Sequence, residues 1–413
     1  MKLLKKGLPL LLVISFLVVF SSCALQGPEA TTAPTKIPLP TMDPVKKAVR
    51  EDPANYVLFS RSTEPREVYV SVPELLEYQT QYPDCNGTWY RDQLSGEDLV
   101  IYNSFLYALE NRFIGFELYV EDSDKDFSYI REFLSLDSPF LEQNYSHYEH
   151  IWKQPIDYVG EHIYFRMEQF TDSRWNMKLE AMEKCRQIVA EMPEFQTQQE
   201  QMEYLYDFVC AHVEYVEYQQ MVDESFFYDA VCKGQSLCDG YSNMLSILFR
   251  LIGVECCEAM GQNTDGTGGH TWVVAKLGDE FYNFDPTFED TGETPANRRI
   301  WFGFSDRLIS VEELDYEDLR PKCTDTSRDF LYADLTVSSI TEWDEVEKIA
   351  ALAEERLGNG QDTTLVVVTA PLGEGDPDLF FDRFYTYATR ADSISLRGWP
   401  MGACTLVEIT LTD

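Results

Sequence analysis

Two short runs rich in apolar residues, 271–277 and 281–285, stand on either side of the dipeptide Gly278-Asp279. That pattern predicts a β-hairpin, and in a hairpin the turn length sets the register. A two-residue turn puts position 270 opposite 287 and position 285 opposite 272. Side chains return to one face at every second residue, so His270 and Asp285 project to the same side as diagonal neighbours. Diagonal neighbours lie about 7–8 Å apart between Cα atoms, close enough for a carboxylate to orient an imidazole. A three-residue turn would reverse the parity and separate them.

Just upstream, Tyr241, Met244, Leu245, Leu248, Phe249 and Ile252 recur at helical spacing, and Gly253 stands where a helix C-cap belongs. Ser236 is the expected N-cap, which places Cys238 in the first turn of a buried helix. A helix N-terminus favours the thiolate and presents free N–H groups to a developing oxyanion. Cys238, His270 and Asp285 therefore offer a nucleophile, a base and an orienting acid. Gln235 is a candidate side-chain donor to the same oxyanion. The other histidines offer less. His212 continues an apolar helical stripe and reads as a packed residue, while His147 and His150 form a pair that nothing nearby completes as a metal site. Asp122, Asp124 and Asp126 imitate a calcium loop, but Phe127 and Phe133 occupy the positions that need Gly and Glu. No metal and no cofactor is expected.

Around this centre the apolar periodicity predicts helices over 99–113, 177–192 and 198–216, the last two separated at Pro193, and a strand over 162–170. Residues 335–338, 343–356, 364–370, 378–389 and 404–411 read in turn as strand, helix, strand, helix and strand. The expected organisation is an N-terminal accessory domain at 46–175, a central domain at 176–330 and a small C-terminal βαβαβ domain at 331–413. The fold class is α+β. The aromatic wealth of the N-terminal part reads mainly as core, with a carbohydrate- or wall-binding groove as a lesser alternative.

Lys2, Lys5 and Lys6 precede an apolar stretch at 8–20, followed by Ser21, Ser22 and Cys23. This is the pattern of a signal peptide at 1–22, and the Cys at its end resembles a bacterial lipoprotein signal, which implies lipidation of Cys23. Residues 23–45, with prolines at 28, 34, 38, 40 and 44, read as an extended tether. The expected location is extracytoplasmic, with the membrane reached through a lipid anchor alone. A formal charge of -38 argues against nucleic acid as a partner, since phosphate binding needs a basic surface. Besides Cys23 there are nine cysteines, so at least one thiol is expected to stay unpaired within the chain. Nothing in the sequence speaks to oligomeric state.

Cys238-Asp239-Gly240-Tyr241 at a helix start, Gly269-His270-Thr271-Trp272 opening a strand and Phe284-Asp285-Pro286-Thr287 closing the next resemble the transglutaminase-like superfamily of cysteine enzymes. Residues 301–306 look like the segment that follows the core in many extracytoplasmic members. Many bacterial members have Gln after the cysteine, where this chain has Asp239. The resemblance implies a papain-like core, a helix bearing Cys packed on an antiparallel sheet bearing His and Asp, with Cys238, His270 and Asp285 as the triad. It also implies amide hydrolysis or acyl transfer on a protein, peptide or cell-wall peptide substrate. The alternative is a catalytically inactive module of the same fold serving as a surface scaffold.

Overall fold

The computed structural model describes residues 44–412 apart from 62–65, 122–124, 142–149, 154–160, 167–171, 217–225, 264–267, 292–298, 310, 315, 374, 389–390 and 402–403. Cys23, His147, Asp122 and Asp124 lie outside the described residues.

The N-terminal layer is an antiparallel sheet built from β1 (Tyr56–Ser60), β2 (Glu67–Ser71), β3 (Gly115–Val120), β4 (His150–Lys153) and β5 (Glu161–Arg166), in the order β2-β1-β3-β5-β4. Helices α1 (Gly96–Glu110) and α2 (Ser128–Asp137) accompany it. The helix expected over 99–113 stops at Glu110, and Arg112 then adopts a left-handed φ of 57°, so Phe113 enters the core from outside the helix. The strand expected over 162–170 is β5, and positions 167–170 fall outside the described residues.

Next come α3 (Asp172–Ala190) and α4 (Gln198–His212). Thr197 and Glu200 form a reciprocal capping box that satisfies the first N–H groups of α4. This helix was expected to reach 216. It ends at His212 because Glu214-Tyr215 turns extended and pairs in parallel with Gln235-Ser236. Helix α5 (Cys238–Leu251) is buried at every position from 240 to 249, and Gly253 turns the chain out at φ 79°.

A five-stranded antiparallel sheet lies against α5. It comprises β6 (Cys256–Asn263), β7 (Gly269–Leu277), β8 (Glu280–Phe284), β9 (Phe302–Phe304) and β10 (Val311–Leu314), ordered β9-β8-β7-β6-β10, with the short α6 (Pro286–Asp290) between β8 and β9. Strands β7 and β8 pair from Leu277 opposite Glu280 to Val273 opposite Phe284. That is the register a two-residue turn at Gly278-Asp279 requires.

The chain closes with β11 (Leu335–Val337), α7 (Trp343–Gly358), β12 (Thr363–Val368), α8 (Asp376–Tyr387), β13 (Ser393–Met401) and β14 (Cys404–Thr412), in sheet order β11-β12-β14-β13. The βαβαβ expectation is thus one strand short. Strand β13 pairs antiparallel with β14 at the sheet edge, where Gly398 and Pro400 are tolerated.

The boundary expected at 175 falls inside α3 and separates no two cores. One continuous apolar cluster runs from Val57 and Phe59 through Phe105 and Phe133 to Leu245, Val274 and Phe284. Residues Val45–Asp413 form a single compact unit. The C-terminal sheet buries one face under α7 and α8, and the other against Ile300, Trp301, Phe304 and Leu308. A polar clamp lies within the shared core. Asp137, at the end of α2, accepts from the N–H groups of Tyr90 and Arg91 at 3.1 and 2.9 Å and from the Tyr102 hydroxyl at 3.0 Å. Burial pushes its carboxyl up to about 6 despite those donors. Tyr90 then reaches across to donate to the Glu258 carbonyl of β6 at 3.0 Å. Asp137→Ala strands two buried N–H groups and a hydroxyl, so it is expected to cost about 2–4 kcal/mol. Urea unfolding checks this, and a loss below 1 kcal/mol would mean that water replaces the carboxylate.

Candidate active site

Cys238 is the first residue of α5 and is half-buried. The N-cap is Leu237, with no side-chain cap, and not Ser236 as the sequence suggested. Ser236 is committed to the short strand beside Tyr215, and its hydroxyl donates to the Phe226 carbonyl at 3.3 Å. The first turn of α5 lies so tightly on this strand that a Cβ at Gly240 would run into the Ser236 side chain and come within 2.7 Å of the Phe226 carbonyl. Gly240 therefore sets how deeply the thiol-bearing helix end can seat.

His270 is the second residue of β7, and Asp285 follows the last residue of β8. Both are buried, at 4 % and 2 % exposure. The two side chains share one face of the hairpin, and Asp285 Oδ2 accepts from His270 Nε2 at 2.6 Å. Its other oxygen, Oδ1, accepts from the Phe288 N–H at 3.0 Å and so caps α6. The backbone of Asp285 is held as well: its N–H donates to the Trp301 carbonyl at 2.9 Å, and its carbonyl accepts from the Tyr206 hydroxyl at 2.9 Å. With Nε2 taken, Nδ1 is the ring nitrogen left for another partner, while the Cys238 thiol donates to Asp239 Oδ2 at 3.9 Å. Burial on its own would push the imidazole down. The charge and hydrogen bond of Asp285, joined by Cys238, outweigh it and raise His270 to about 10.

Several neighbours escaped the sequence reading. Phe288 stacks on the imidazole at 4.1 Å between centroids and 5° between planes, a face that favours the cationic ring. Trp272, Trp301, Phe304 and Ile309 complete a narrow apolar pocket around it. The Trp301 indole N–H has no partner among the described residues. Asp239 is half-buried and accepts from the Thr271 hydroxyl at 3.2 Å, and burial pushes its carboxyl up. Beneath it, Glu258 is buried and accepts from Asn243 and Ser246, and burial pushes its carboxyl up too. Position 288 had a usable signal, since a residue three past an N-capping Asp stands over that cap. Trp272 had one as well, standing opposite Asp285 in the hairpin, whereas Trp301, Phe304 and Ile309 come from a separate segment.

The remaining candidates sit elsewhere. Gln235 is exposed, and its amide donates to the Glu214 carboxylate at 3.3 Å, so it is engaged at the surface. His212 stacks on Phe208 and bonds the Val231 carbonyl at 3.0 Å, a packed residue as expected. Cys85, Cys185, Cys210, Cys232, Cys238, Cys256, Cys257, Cys323 and Cys404 are all free thiols, and only Cys232 and Cys238 among them are not fully buried. Among the described residues no group of three or more His, Cys, Asp or Glu side chains is placed to hold a metal ion. No described helix is long and apolar enough to cross a membrane.

Residues 186–286 match the family model of the transglutaminase-like superfamily, and this part of the chain is a transglutaminase-like core. No curated protein matches the chain. Among solved structures, one described as a TGase is 13% identical over 36% of this chain and 46% of its own, with a TM-score of 0.25. The periplasmic domain of TgpA from Pseudomonas aeruginosa is 14% identical over 32% of this chain and 55% of its own, with a TM-score of 0.22. The chain thus spans about half the length of these two structures.

Two measurements bear on the site. Gly240→Ala is expected to destabilise by about 2–4 kcal/mol through overpacking, and to slow alkylation of Cys238 even where the fold survives. Unchanged stability and labelling would show that the helix end seats without the glycine. The second concerns pH. The folded value of His270 lies above its ordinary 6.5, so the pair's contribution to stability is complete below 6.5 and is lost as pH rises through about 10. NMR titration of the imidazole should find it still protonated at pH 8, and Asp285→Asn should bring its midpoint down by at least about 2 units. A native midpoint near 6.5 would mean that Asp285 does not hold the imidazole in its cationic form.

Proposed function

We propose that the chain is an extracytoplasmic cysteine enzyme performing amide hydrolysis or acyl transfer on protein, peptide or cell-wall peptide substrates, with Cys238, His270 and Asp285 as its catalytic residues. The observation that carries this reading is the buried imidazole, bonded through Nε2 to Asp285 and raised by that carboxylate together with the Cys238 thiol at the start of α5. In this mechanism the Cys238 sulfur, its proton held by His270, attacks the acyl carbonyl carbon. The oxyanion forms beside the Cys238 N–H at the start of α5, a position for which the helix supplies no acceptor, whereas the Gly240 and Tyr241 N–H groups already donate to the Leu237 carbonyl. The imidazolium then gives its proton to the departing amine, and a thioester remains on Cys238. Water or a second amine resolves the thioester, with His270 taking the incoming proton. Asp285 keeps the ring in place throughout and balances its charge.

The same proposal places the chain outside a membrane, held through a lipid on Cys23 by the tether at 23–45. Its support is the order of basic, apolar and small residues before that cysteine.

Iodoacetamide labelling combined with turnover of a peptide amide tests the chemistry. Selective labelling at Cys238 should fall sharply in His270→Ala, and turnover should drop at least about 10³-fold in Cys238→Ala. Slow labelling of equal rate in both proteins, with no turnover in either, would leave the scaffold reading instead.

A further inference from the structure

We infer that Asp239 is a positioning residue that holds the Cys238 thiol at rest with its proton on sulfur, so that the nucleophile stays restrained until the sulfur leaves this carboxylate. The inference rests on the reading of Cys238 as the nucleophile and adds to it a built-in restraint.

The geometry fixes the carboxylate against the thiol. Cys238 Sγ donates to Asp239 Oδ2 at 3.9 Å. The other oxygen, Oδ1, accepts from the Thr271 hydroxyl at 3.2 Å, and Thr271 is buried. Thr271 follows His270 on β7 and is itself held, because its carbonyl accepts from the Ser242 hydroxyl at 2.8 Å. Residues 239 and 242 therefore tie the start of α5 to the strand that bears the imidazole. A side chain tied in this way keeps its second oxygen beside the sulfur. Both oxygens accept, which is the pattern of an ionised carboxylate.

The charge acts on the sulfur in one direction. A fixed negative charge beside a thiol opposes the formation of a second one. The positive end of a helix favours an anion, and Asp239 already places one in the first turn of α5. The carboxylate thus takes up part of the stabilisation that the helix would otherwise give the thiolate. Cys238 on its own helix, His270 on β7 and Glu258 on β6 face this carboxylate. The imidazole, when cationic, favours the ionised form of Asp239, while Glu258 and the thiol oppose it. Attack on an acyl carbon then begins with the sulfur turning away from Asp239. A residue that only tied helix to strand would leave the response of the thiol to pH unchanged.

The test follows iodoacetamide labelling of Cys238 in the full chain by peptide mass spectrometry, at pH 6 and at pH 9. Asp239→Asn keeps an acceptor for Thr271 and removes the charge. It is expected to label at least about fivefold faster at pH 6, by a factor that is smaller at pH 9, because the thiolate is the reacting species. Asp239→Glu keeps the charge and should stay within about twofold of the native rate. Slower or unchanged labelling in Asp239→Asn at pH 6, or an equal factor at both pH values, would overturn the inference. Should Asp239→Asn fail to fold, Thr271→Val releases the carboxylate instead and should label at least about twofold faster at pH 6; an unchanged rate there would overturn it as well. His270→Ala is run alongside. Labelling that ignores His270 sinks the enzymatic reading, whereas labelling that depends on His270 and ignores Asp239 sinks this inference alone.

Discussion

The carboxylate of Asp285 serves two elements at once, and the geometry of the site follows from that division. One oxygen caps α6, the other bonds the imidazole of His270. A buried carboxylate is costly unless its lone pairs are filled. Here a backbone N–H and a charged ring fill them, and bonds from Trp301 and Tyr206 fix the backbone on either side. The imidazole has little freedom left, because Phe288, presented by the helix that Asp285 caps, lies flat on its face. The capping bond thus also positions the ring's aromatic partner. Charge-assisted bonds of this kind are short and strong, which accords with an imidazole held well above its ordinary value in a site that would otherwise neutralise it.

Helix α5 runs through the shared core. Its N-terminus seats Cys238 and its C-terminal turn carries Arg250. From Gly240 to Phe249 every residue is buried, and the N-terminal layer joins the same core. Asn243 and Ser246 face inward only because Glu258 of β6 accepts from both. A polar network of this kind is stable when its members are satisfied together and expensive when they are not. The thiol at one end is therefore carried by a rigid rod rather than by a loop.

Much of this was legible in residue order. The α5 stripe, the Gly253 terminus and the β7–β8 register are local, and each depends on spacing within about a dozen residues. Local periodicity and turn chemistry settle such features with little help from the rest of the chain. Readings failed where a local preference met a non-local demand. Ser236 has the right chemistry for an N-cap, but strand pairing with Tyr215 and the Phe226 carbonyl claimed it. Gln235 lies close to Cys238 in sequence, yet its amide is bound to Glu214. Strand β13 carries a Pro and a Gly that only an edge position permits, and edge status is a property of the finished sheet.

Sequence alone determined that a cysteine would begin a buried helix, and that a histidine and an aspartate would share one face of a hairpin. Both follow from backbone periods that are the same in every protein. Tertiary structure alone decided which nitrogen meets Asp285, that Phe288 and Trp301 wall the imidazole, and that the N-terminal layer and the central sheet share one core. Those outcomes depend on how separate segments pack in three dimensions, and packing is set by shape and desolvation across the whole molecule, where no repeat within a single element records it.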